Sequence, residues 1–89
     1  YVAISNQLTR CSTSVGANYR AAARAKSSAD FINKLKIVEE ECDKTMYFLE
    51  LLIELNPKDK SELVKIHSEA NEIISIIVAS IKTARRNNA

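Results

Sequence analysis

From Phe31 to Leu52, residues suited to a helix seam recur at alternating steps of four and three: Phe31, Leu35, Val38, Cys42, Thr45, Leu49 and Leu52. A mean step near 3.5 residues keeps one face of an α-helix turned toward its neighbours along its whole length, whereas a strand would alternate every second residue. The segment therefore predicts a helix packed on other helices. One glycine and one proline in 89 residues cannot supply the turns of a β-sandwich or barrel, and Gly16 alone cannot supply the close backbone approach of a phosphate-binding α/β fold. An apolar fraction of 46% with only two cysteines, Cys11 and Cys42, excludes disordered, collagen-like and disulfide-stapled classes. The length suits one helical-bundle domain spanning residues 1–89.

Two further helices are predicted. Ile4, Leu8, Cys11, Val15, Tyr19 and Ala22 trace one face of a helix over about 2–25. Ser12, Thr13, Ser14, Gly16 and Ala17 flank that face, and their small side chains let a neighbouring helix come close. Ser14 and Asn18, four apart, are candidates for hydrogen bonds between helices. Ser27 can cap the central helix (28–55), with Asp30 in its first turn. Phe48, Leu51 and Leu55 widen that helix's apolar face toward its end. Asn56-Pro57 stops it, and Pro57 suits the first turn of a third helix over 58–86.

The third helix carries Leu63, Ile66, Ala70, Ile73, Ile77, Ile81 and Ala84 on one face, and also Val64, Ile74, Ile76 and Val78. Seven of the nine residues from Ile73 to Ile81 are apolar, which demands burial on two sides. One helical hairpin cannot cover both, so a fourth helix, a neighbouring subunit or both are expected against it. Short connections make consecutive helices antiparallel, and the fold class is an all-α up-down bundle. In that register, residues whose numbers sum to about 53 share a level, which brings Cys11 opposite Cys42. Two reduced cysteines packing at a close crossing are expected, with a redox-responsive bridge as the sharper alternative.

Charge is segregated. Residues 1–26 contain Arg10, Arg20, Arg24 and Lys26 and no acid, whereas residues 27–56 contain seven acids against three lysines. In an up-down-up arrangement Arg20, Arg24 and Lys26 share one end with Lys82, Arg85 and Arg86. Bases at helix C-termini complement the dipole, and a cluster of them also attracts the phosphates of RNA or DNA. No aromatic is interleaved among these bases, which argues against base-stacking readout of a single strand. Arg10, Arg20, Arg24, Lys26, Lys82, Arg85 and Arg86 are accordingly the candidate nucleic-acid-binding residues.

Catalytic and metal chemistry find no support in the sequence. His67 is the lone histidine with no nucleophile or carboxylate at catalytic spacing, and Glu39, Glu40 and Glu41 point in successive helical directions. No cofactor and no small-molecule substrate are expected. The longest apolar run is about half of what a membrane span requires, so no membrane partner is expected, and the cytoplasm is the expected compartment.

These residues resemble a known family. Gln7-Leu8-Thr9-Arg10-Cys11, Ser14-Val15, Asn18 and Ala22, followed by Asp30-Phe31-Ile32, Lys34 and Ile37, and then by Glu41, Thr45, Tyr47-Phe48-Leu49 and Leu51-Leu52, are similar to the signature of bacterial four-helix bundle proteins named for intervening sequences in 23S ribosomal RNA genes. Ala21 stands where that family usually has Glu, and Phe48 where it commonly has Trp. The resemblance implies a four-helix bundle whose first helix would precede Tyr1, and assembly as a homo-oligomer, typically a pentamer. Accessory variability proteins of retroelements, related to this family, imply contact with reverse transcriptase and nucleic acid through a basic surface. The expected function is thus a non-enzymatic oligomeric bundle that binds RNA or DNA without sequence preference. A protein-interaction scaffold docking through the acidic central helix is the alternative.

Overall fold

A computed structural model describes residues 1–87; residues 88 and 89, the end of the expected 1–89 unit, lie outside the described residues. Three helices follow in order: α1 Val2–Ala23, α2 Ser28–Leu55 and α3 Lys60–Asn87, the last entered through a 3-10 turn at Pro57–Asp59. α1 ends two residues before its expected limit, because Arg24 leaves helical geometry (φ −112°, ψ 21°) as the chain turns. The proline turn likewise delays α3 by two residues, with Asp59 donating its amide to the Asn56 carbonyl at 3.2 Å. The Asn56 side-chain amide donates to the Asp59 carboxylate at 2.9 Å. Ser27 caps α2 as expected: its hydroxyl oxygen accepts the Asp30 amide at 3.1 Å, while the Asp30 carboxylate accepts the Lys26 amide at 3.2 Å.

α2 is the central element, and its seam becomes the core. Leu35, Val38, Cys42, Thr45, Leu49 and Leu52 are all buried. α1 and α3 each pack on α2 but not on one another, giving a slab of 48 × 20 × 14 Å. Both run antiparallel to α2. The Tyr1 hydroxyl donates to the Leu55 carbonyl, the Cys42 thiol donates to the Ala70 carbonyl at 3.4 Å, and Glu50 meets His67. Toward the other end Ala22, Leu35, Val38, Ile77 and Ile81 close into one cluster, with Val15, Phe31 and Ile32 packed against it.

Because α1 and α3 stand apart, an apolar groove runs between them with α2 as its floor. Two open depressions of about 330 and 200 Å³ mark it. Val15, Gly16, Tyr19, Val38, Ile73, Ile76 and Ile77 line the first, and Ser12, Cys42, Thr45, Ile66 and Ala70 are among the residues lining the second. The apolar excess of α3 is therefore located: Ile77 and Ile81 are buried, whereas Ile73 and Ile76 stay 44% and 64% exposed on the groove side. Gly16 borders the same groove, and a Cβ built on it would meet nothing within 4 Å. A glycine inside a helix costs about 0.5–1 kcal/mol relative to alanine. Gly16→Ala is therefore expected to stabilise the protomer by about that amount, read as a higher urea midpoint at dilutions where the chain is monomeric.

Candidate nucleic-acid interface

Helix order and register decide where the bases go. Ala22 of α1 shares a cluster with Ile77 and Ile81 of α3, so the C-terminal turns of both helices finish at the same end of the slab. Arg20, Arg24 and Lys26 thus share that end with Lys82, Arg85 and Arg86, and all six are exposed. Lys26 and Asn87 line a common depression there with Ala25, Ser27, Ser28, Phe31 and Ala84. Arg10, also exposed, is not part of this end. Ten residues of helix separate it from Arg20, about 15 Å at 1.5 Å per residue.

Among the described residues the ion pairs are Lys34–Asp30 (3.9 Å), Lys44–Glu41 (3.4 Å) and His67–Glu50 (2.9 Å). None uses any of the seven candidate bases, so no carboxylate of the described residues compensates their charge. Two helix C-termini at this end favour positive charge, worth about 0.3–1 kcal/mol per side chain, and that preference accounts for bases being placed there. It does not account for Arg10, in the middle of α1.

The other residues singled out above have structural roles. Asn18 and Ser14 do not join two helices: the Asn18 amide donates to the Ser14 carbonyl (2.9 Å) and hydroxyl (3.0 Å) within α1, because a spacing of four lays one side chain over the preceding turn. His67 Nε2 reaches Glu50 Oε2 at 2.9 Å and ties α3 to α2, a link invisible in a sequence where the two are 17 residues apart. Glu41 is half-buried while Glu40 is exposed, which separates the three consecutive glutamates. No group of three or more His, Cys, Asp or Glu that could hold a metal ion occurs among the described residues. Nor is any described helix long and apolar enough to cross a membrane.

Both cysteines are free and buried, each against a different helix. The Cys42 thiol donates to the Ala70 carbonyl of α3, while Cys11 lies near Glu41 of α2. Burial pushes both thiols above their ordinary value of 9.0, and nearby carboxylates, Glu41 for Cys11 and Asp43 for Cys42, push them further. A thiol whose value rises on folding leaves stability complete below pH 9 and takes it away as pH climbs toward the folded value. A thiol reagent at neutral pH is expected to leave both cysteines unmodified until urea is added. The urea midpoint is expected to decline above pH 9, less steeply in the Cys11→Ala/Cys42→Ala variant.

The arrangement defines an all-α helical-bundle protein, with a basic end, an arginine midway along α1 and an apolar groove between two of its helices. The chain belongs to the 23S rRNA-intervening sequence protein family, whose model matches residues 2–79. It is similar to a solved structure from Bacteroides thetaiotaomicron described as a protein with unknown function from the S23 ribosomal protein family. The two are 42% identical, with a TM-score of 0.84 over 89% of this chain and 73% of that one. No curated protein matches.

Proposed function

We propose that the protein is a non-enzymatic, self-associating helical bundle that binds RNA or DNA through its phosphates, using Arg10, Arg20, Arg24, Lys26, Lys82, Arg85 and Arg86. The observation that carries this reading is the set of seven exposed bases, none of them in an ion pair among the described residues, on a chain whose acids are concentrated in α2. The family's description, which joins its members to intervening sequences of 23S rRNA, supports RNA as the first ligand to test. Self-association is supported by the half-exposed isoleucines of the groove. The occupant of the groove is a second copy of this chain, and the resemblance to pentameric bundles sets five copies as the proposed stoichiometry.

Fluorescence anisotropy of a labelled RNA at about 50 and 200 mM salt tests the reading, since phosphate-driven binding weakens steeply over that range. Binding at low salt that fades at high salt is the expected result. Absence of binding at low salt contradicts it.

A further inference from the structure

α1 contains no acidic residue, and its arginines lie on one side. At about 100° per residue, buried Cys11 and Ala22 fall within roughly 20° of each other, while Arg10 and Arg20 bound an arc of about 80° on the far side of the helix, and Arg24, the C-cap just past Ala23, falls between them when the helical step is continued by one residue. Exposure agrees with that geometry: all three arginines are exposed, as are Asn6, Thr13 and Ala17 between them. The face has low relief. The Thr13 hydroxyl is folded back onto the carbonyls of Thr9 (2.8 Å) and Arg10 (3.0 Å), and Ala17 adds only a methyl group. Arg10 and Arg24 are about 21 Å apart along the axis, close to six base-pair steps of a duplex at 3.4 Å each.

The α3 bases turn elsewhere. Measured from buried Ile77 and Ile81, Lys82 and Arg85 lie round the helix in the direction opposite to groove-lining Ile73 and Ile76. The groove is the side of α3 that α1 borders, so these bases point away from α1. One rigid, straight ligand cannot lie along the outer face of α1 and also contact them. Tyr19, the exposed aromatic nearest these arginines in sequence, belongs to the groove wall with Val15 and Ile73, which leaves the arginine face without a ring on which to stack an unpaired base.

We propose that the outward face of α1 is the nucleic-acid contact, laid lengthwise on the phosphate backbone of a duplex, with Arg10, Arg20 and Arg24 as the phosphate ligands. Lys82, Arg85 and Arg86 contribute a longer-range field and complete the dipole at the end of α3. This placement rests on the nucleic-acid reading above, and it narrows that reading to one helix face and to double-stranded over single-stranded ligand.

The test compares two triple variants, Arg10→Ala/Arg20→Ala/Arg24→Ala and Lys82→Ala/Arg85→Ala/Arg86→Ala, by anisotropy on a short labelled duplex of arbitrary sequence and on its separated strand. Each arginine–phosphate contact adds about 0.9 to the slope of log affinity against log salt. The α1 variant is therefore expected to shrink the affinity lost between about 50 and 200 mM salt by roughly 40-fold, and the α3 variant by no more than about threefold. The unaltered chain is expected to prefer the duplex. Circular dichroism keeps the comparison valid, since all six positions are exposed and helicity is expected to stay unchanged. Equal loss from the two variants overturns the placement. So does equal binding of duplex and single strand, or capture by anionic lipid vesicles with the same dependence on the α1 arginines. If the unaltered chain binds no nucleic acid at low salt, the underlying reading falls and the placement falls with it.

Discussion

Leu49→Ala is expected to lower the unfolding free energy by about 3–4 kcal/mol. Leu49 is 1% exposed in the buried seam of α2, the helix on which both others pack. Truncating it removes transfer free energy and leaves a void that two flanking helices cannot close without giving up contacts of their own. In a small domain, stabilised by about 5–15 kcal/mol in total, that loss is large enough to be read directly as a fall in the urea midpoint. A change below about 1 kcal/mol would mean that the α2 seam is not the centre of the core.

Ile73→Asp is expected to act on assembly. Ile73 is 44% exposed in the protomer, so a carboxylate there remains solvated while the chain is alone. Once a second copy covers the groove, that carboxylate is buried without a partner, at a cost of several kcal/mol. The variant should keep its helicity and run at the protomer mass of 9.9 kDa. If it assembles like the unaltered chain, the contact between copies lies on another face.

Much of this architecture was legible in the sequence because the signals were local. The four-three spacing from Phe31 to Leu52 identified the six buried α2 residues, and Ser27 with Asp30 fixed the start of that helix. Ile73 to Ile81 was legible as an excess of apolar surface, but its exposed side was not, since that depends on how far α1 and α3 stand from each other across α2. The same limit applied to single contacts. The level of Cys11 and Cys42 followed from antiparallel register, but the turn of each thiol toward a different helix depends on side-chain geometry that no spacing encodes. The polarity of Asn18 suggests a partner on another helix, whereas the preceding turn of its own helix supplies one. For the candidate interface, the seven bases were legible as charge. Their gathering at one end was legible too, from helix order; the separation of the α1 arginines from the α3 bases by the direction each faces emerged only once the helices were placed.

The central claim is that the apolar groove between α1 and α3 is covered by a second copy of the chain, leaving the bases outward for nucleic acid. Light scattering coupled to size exclusion on the unaltered 89-residue chain measures this most directly. A mass that is a multiple of 9.9 kDa, reduced to that of the protomer by Ile73→Asp, is the predicted result. A stable, fully helical species of 9.9 kDa from the unaltered chain that persists at the highest concentration reached would contradict it.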